Sequence, residues 1–221
     1  MAHFTREYLA FFRELKEHNE KTWFEANRER YEQAVKEPFS DLVDELFGRV
    51  HAEGVPLTQT ARNAIFRLHR DTRFARDKRP YKTQMAAHLS ATGRRGHDAP
   101  GFYFAFGPDE AFVGGGAYMV DTAQLTNIRR AIVARGDELE ALIAERSFAR
   151  LFGELQGEKN KVLPVEFKPH LAARPLLLNK MFFFAARLPP EFILEPDLAE
   201  RLMDYFRAGW PVSTFFARAL A

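Results

Sequence analysis

Residues Gly101–Met119 read GFYFAFGPDEAFVGGGAYM. Phe102, Phe104 and Phe106 alternate along the first arm, Gly107-Pro108-Asp109-Glu110 has the chemistry of a turn, and a second strand-like run follows. A period of two interrupted by Gly, Pro and Asp predicts a β-hairpin. Just upstream, NAIFRLHR (63–70) alternates Phe66 and Leu68 with Arg67 and His69. TQMAAHLSA (83–91) puts Met85, Ala87 and Leu89 on one face and Gln84, Ala86 and His88 on the other. These predicted strands follow one another without an intervening helix, so they favour an antiparallel sheet.

Helical spacing surrounds this β-rich centre. Tyr8, Leu9, Phe12 and Leu15 define a first helix. Trp23, Phe24, Asn27, Tyr31 and Val35 lie on one side of a second. Pro38 suits the first turn of a third, with Phe39, Leu42, Val43, Leu46, Phe47 and Val50 facing inward. After the hairpin, Asp121 or Thr122 caps a helix with a break expected at Gly136. QGEKNKVLP reads as a loop or hairpin and NKMFFFAARL as a buried strand. Two helices, about 196–208 and 211–220, close the chain, the second opened by Pro211. The expected fold is α+β: one antiparallel sheet packed against N-terminal and C-terminal helices. The expected domain is single and spans 1–221, helical over 1–53, mostly strand over 60–120 and mixed over 121–221.

The chain has 221 residues, enough for one large domain. With 46% hydrophobic and 28% charged residues it can bury a core, and its 22 phenylalanines imply a thick core, an exposed patch, or both. It contains no cysteine, which excludes disulfides, thiolate metal sites and thiol catalysis. No signal-peptide pattern opens it, and its most apolar run, Met181–Ala186, is too short to span a bilayer. These features point to a cytoplasmic protein without a membrane partner.

The net charge of +2 hides an asymmetry. Residues 1–55 carry −4, residues 56–100 carry +7 and residues 101–221 carry −1. The positive charge centres on RLHRDTRFARDKRPYKT (67–83), where Arg67, Arg70, Arg73, Arg76 and Arg79 recur every third residue. That spacing does not build one cationic face. On a helix five such positions spread over about two-thirds of the circumference, and on a strand they alternate between faces. Some of these arginines therefore point into a pocket, pair with acids, or face solvent. Asp71 and Asp77 sit among them and can orient guanidinium forks toward a phosphate or carboxylate, with Lys78, Tyr81 and Lys82 as further donors. The same two aspartates can instead pin a loop by pairing with the arginines.

The run RLHRDTRFARDKRPY resembles the signature R-x-x-R-D-x-R-F-x-x-[D/N]-K-x-x-Y of the bacterial DUF2461 family. The matching positions are Arg67, Arg70, Asp71, Arg73, Phe74, Asp77, Lys78 and Tyr81. NEKTWFEANRERYEQAV and FVGGGAYMVDTAQLTNIRRAI are similar to the same family. The resemblance implies membership and brings with it no activity, cofactor or catalytic residue.

Secondary candidates lie outside the signature. Gly114, Gly115 and Gly116 precede a helix start and can offer backbone N–H groups to a phosphate, or mark a bulge or close backbone approach. No Walker lysine follows them. His69 and His88 are placed to meet if their strands are adjacent. No His spacing matches a metal motif, no Ser lies in a nucleophile motif, and no cofactor is indicated. Ser90–Gly101 is a basic loop whose Arg94 and Arg95 can touch an anion. Three readings follow: a pocket for a small anionic ligand, a nucleic-acid-binding surface, or an interaction module in which the motif is a structural ion-pair network. The sequence assigns neither a reaction nor an oligomeric state.

Overall fold

The computed structural model describes residues 2–57, 60–90 and 100–221. Helices Arg6–Glu17 (α1), Lys21–Ala26 (α2), Arg28–Tyr31 (α3) and Glu37–Ala52 (α4) come first, then the single turn Ala61–Ala64 (α5). Strands Met85–Leu89 (β1), Gly101–Phe106 (β2), Ala111–Ala117 (β3) and Phe182–Leu188 (β4) form one sheet in the order β1-β2-β3-β4, every pair antiparallel. Thr122–Ala144 (α6) and Arg146–Phe152 (α7) lie between β3 and β4, and Leu198–Leu220 (α8) ends the chain. This is a single α+β domain. No helix among the described residues is long and apolar enough to cross a membrane.

The hairpin forms as its alternation requires. Residues 107–110 join β2 to β3, and the Gly107 N–H donates to the Glu110 carbonyl at 3.1 Å. Phe102, Phe104 and Phe106 share a face with Val113, Phe184 and Phe182, as the register dictates. The helices pack on that face. Phe39 meets Phe104 and Phe106, Phe206 meets Phe102, and Phe148 meets Phe184. Most of these rings are fully buried, at roughly 1.5–3 kcal/mol for each Phe-sized side chain taken from water. The phenylalanine excess is thus largely an account of this one face.

Five local expectations need correction or adjustment. NAIFRLHR is not a regular strand. Thr60 caps the turn α5 by accepting from the Asn63 N–H, and only Ile65 and His69 make isolated bridges. NKMFFFAARL is not buried on both sides, since Phe183, Ala185 and Arg187 leave the core face by strand alternation. The helix expected over Trp23–Val35 splits into α2 and α3. A π turn, Glu32–Lys36, then leads into α4 just before Pro38, where a missing N–H would interrupt the helical ladder. Pro211 does not separate two helices. It lies inside α8, whose apolar side is buried before and after it by Leu202, Phe206, Val212 and Phe215. The break expected at Gly136 is a kink at Arg135, inside α6.

Ser213 ties α8 to the sheet. Its hydroxyl donates to the Gly101 carbonyl at 2.9 Å and accepts from the Gly116 N–H at 3.2 Å, spanning the paired residues Gly101 and Gly116. Ser213→Ala leaves that carbonyl and N–H without the hydroxyl in a buried setting. The expected loss of unfolding free energy is about 1–3 kcal/mol by denaturant titration. A loss within experimental error of zero would show that the seam does not depend on this hydroxyl.

Candidate functional site

The basic segment is a hairpin extending from the edge of β1. Its two arms are joined by the Phe66 N–H to the Ala86 carbonyl, the Lys82 N–H to the Leu68 carbonyl, and the Arg70 N–H to the Pro80 carbonyl. Pro80 has no N–H to give, but its carbonyl serves the rung. Tyr81 fixes the base. Its buried ring stacks on Phe24 at 4.3 Å, and its backbone N–H and carbonyl each meet the Asn19 side chain at 3.0 Å.

The arginine spacing resolves into a repeated Asp-x-Arg device. Asp71 accepts from the Arg73 backbone N–H and from its guanidinium, with Nη2 at 2.7 Å. Asp77 does the same for Arg79, with Nη2 at 2.8 Å, and also takes Arg70 Nη1 at 2.7 Å. An Asp that bonds its own backbone two residues on sets a turn, and here the same carboxylate holds the guanidinium. These contacts hold both aspartates below the usual carboxylate range. For Asp77 the largest cause is the hydrogen bond from the Arg79 side chain, and for Asp71 that from Arg73. Lys78 Nζ donates to the Thr72 carbonyl at 3.0 Å.

The other candidates lie elsewhere. His69 bridges Tyr81, whereas His88 stands on β1 opposite Tyr103, so the two histidines do not meet. Among the described residues no three His, Asp or Glu side chains are grouped to hold a metal ion. Arg94 and Arg95 lie outside the described residues.

A cavity of about 430 Å³ opens on the sheet face opposite the helices. Register explains its shape. Along β3 the outward positions include Gly114 and Gly116, and on the flanking strands they include Tyr103 and Phe183. Gly116 has φ +98°, and a Cβ there would stand 2.4 Å from the Phe182 carbonyl, so the backbone admits only glycine. The consequence is a floor without side chains. One wall runs Phe66–Tyr103–Phe112 through edge contacts of 6.0 and 5.8 Å, and the other pairs Tyr118 with Phe183 at 5.2 Å. Arg187 lies 5.4 Å from the Phe112 ring centre and is held by Glu110 through Nη1 at 2.7 Å. His88 and Arg187 line the cavity, Lys82 Nζ sits 5.2 Å over Phe66, and no acidic residue is among the described lining. Burial raises the Tyr103 hydroxyl's pKa, which keeps it a neutral donor. Of the sequence candidates, His88, Gly115 and Gly116 line this cavity; Arg67, Arg70, Asp71, Arg73, Asp77, Lys78, Tyr81 and Lys82 do not.

A profile of the family described as conserved hypothetical protein (DUF2461) matches residues 7–215. The chain belongs to that family. No curated protein matches it. In this DUF2461 member the signature's Asp71 and Asp77 brace the hairpin, Tyr81 anchors it, and Phe74 stands 95% exposed near its tip. The cavity residues Phe66, Tyr103, Phe112, Tyr118, Phe183 and Arg187 were not singled out from the sequence. The signal available was parity: Tyr103 opposes the Phe102/104/106 face, and Phe183 and Arg187 share one face of β4.

Asp77→Asn tests the brace. A carboxylate whose folded pKa is depressed contributes stability above its unfolded pKa, near 3.8, and loses it as the pH falls toward the folded value. The variant is expected to melt below the wild type at pH 7, with the gap narrowing once the pH drops beneath 3.8. A gap of unchanged size at pH 2.5 would mean that charge on Asp77 is not what holds Arg70 and Arg79.

Proposed function

We propose that this protein binds a small planar ligand bearing a negative group, in the cavity on the outer face of the sheet. The observation that carries this reading is the lining itself: aromatic walls over a glycine floor, with the Arg187 guanidinium at its edge and no acidic residue among the described lining. A volume of about 430 Å³ lies within the roughly 300–1,000 Å³ of small-molecule sites. Rings favour offset or edge contact with another planar system, and the floor lets a flat molecule lie against the backbone. Among the described residues Glu110 engages Arg187 only through Nη1, so Nε and Nη2 remain available to a carboxylate or phosphate.

The basic hairpin has a different part in this reading. With the Arg70, Arg73 and Arg79 guanidinium groups each on Asp71 or Asp77, the geometry supports the ion-pair network over a convergent anion pocket at the motif. The hairpin flanks the cavity through Phe66 and Lys82 and keeps that wall in place.

Thermal shift measurements against AMP, adenosine, indole-3-carboxylate and inorganic phosphate at millimolar concentration test the proposal. The planar anions are expected to raise the midpoint by a few degrees, since a ligand at 100 times its Kd stabilises by about 2.7 kcal/mol. Adenosine and phosphate, each lacking one half of the recognised chemistry, should raise it less. Arg187→Ala should weaken binding of the anions by about tenfold, the worth of one charge-assisted contact, and Phe183→Ala should weaken AMP and adenosine alike. If neither planar anion moves the midpoint, or if Arg187→Ala and Phe183→Ala leave the shifts intact, the cavity is not the site.

A further inference from the structure

The tip of the basic hairpin has features that bracing does not use. Phe74 is 95% exposed, and the Arg73 guanidinium lies 5.9 Å from its ring centre while held by Asp71. Arg67 and Arg76 are exposed and form no ion pair among the described residues. Residues 67–82 hold seven basic and two acidic side chains, an excess of five positive charges after the internal pairs are made. Exposing a phenylalanine to water without a packing partner stabilises nothing in the isolated fold. The rungs to Pro80 and Leu68 and the Asn19–Tyr81 clasp fix the direction in which the tip points.

We infer that this hairpin is a contact element for single-stranded nucleic acid, in which Phe74 at its tip stacks on an unpaired base while Arg73 and Arg76 beside it, and Arg67 lower on the first arm, take phosphates. One exposed ring with cations on either side is enough for base stacking, because every base offers a face. It is poor equipment for a lipid surface, where binding grows with the apolar area inserted. The other exposed large apolar residues, Tyr118, Met119, Val162 and Val165, lie in other parts of the chain. A duplex offers the cations its phosphates, but its bases are already stacked, so it leaves Phe74 idle. The spread of arginine directions noted from the sequence suits a short contact of a few nucleotides rather than a long phosphate track. Asp71 pre-orients Arg73, which lowers the ordering cost of the contact.

Fluorescence anisotropy with a labelled oligo(dT) and with a duplex of the same length provides the test, using the full chain. Single-strand binding is expected at low salt and should weaken about 20-fold between 50 and 200 mM salt if roughly three phosphates are contacted. Phe74→Ala should cost about tenfold for the single strand and leave duplex affinity unchanged, whereas Phe74→Tyr should retain binding. Arg67→Gln with Arg76→Gln should lower the salt slope by about 1.4. These side chains are exposed, and unchanged thermal midpoints would confirm that each variant folds. Absence of oligo(dT) binding at 50 mM salt overturns the inference, as does equal binding by Phe74→Ala. Phe74-dependent co-sedimentation with phosphatidylserine vesicles, without binding to oligo(dT), reassigns the tip to a membrane surface and equally overturns it. AMP binding in the cavity is read separately, so either proposal can fail while the other stands.

Discussion

The sheet and the C-terminal helix meet at Gly115, where no side chain fits. A Cβ there would stand 2.4 Å from the Gly101 carbonyl, 2.7 Å from the Phe184 ring and 2.9 Å from Ser213 Oγ. Three elements therefore meet at a point that has room only for hydrogen: β2 through its backbone, β4 through a core ring, and α8 through a hydroxyl. Because Gly115 is small, α8 approaches β3 closely enough for Ser213 to reach both Gly101 and Gly116. Because Gly116 takes a left-handed φ, the strand turns its other face outward without a side chain. The same constraint that closes the core on one side leaves a concavity on the other. Cavity and core are two faces of one seam.

Much of this was legible in sequence, and the reasons are local. The alternation Phe102, Phe104, Phe106, the turn at 107–110 and a helix start at Asp121 or Thr122 are short-range signals; the first two fold as their chemistry demands, and Asp121 proves to be the cap. The expectation failed where a distant contact outweighed a local preference. Pro211 disfavours helix, yet Phe206, Val212, Phe215 and Phe216 are all buried by neighbours, and that burial carries the helix past the proline. Three consecutive phenylalanines at 182–184 look buried in any reading of the strand alone. Alternation sets Phe183 against Phe182 and Phe184, but the pairing with Gly115 and Gly116 is what places Phe183 on the face away from the helices.

The basic segment shows the limit of reading charge from composition. Seven cations in sixteen residues suggest a surface field, but the two aspartates offset two of the charges and fix three guanidinium groups in place. Asp71 and Asp77 each precede an arginine by two residues, so the turn that an aspartate favours also delivers the guanidinium to its own carboxylate. That device is local and could be anticipated from spacing. The reach of Arg70 across the hairpin to Asp77 could not, because it depends on which residues of the arms face each other.

Charge and shape are thus separated in this fold. The hairpin holds most of the positive charge and spends part of it on itself, while the cavity, built mostly of rings and backbone, has the Arg187 guanidinium in its described lining. A preorganised guanidinium loses less freedom when it binds than a mobile one, and both regions use this economy: Glu110 fixes Arg187 against Phe112 as Asp71 fixes Arg73 beside Phe74. In each case an acid holds an arginine next to an aromatic ring. The difference lies in the ring's surroundings. Phe112 is part of a wall, so its arginine faces a bounded volume. Phe74 stands in water and bounds nothing, so its arginine faces open solvent.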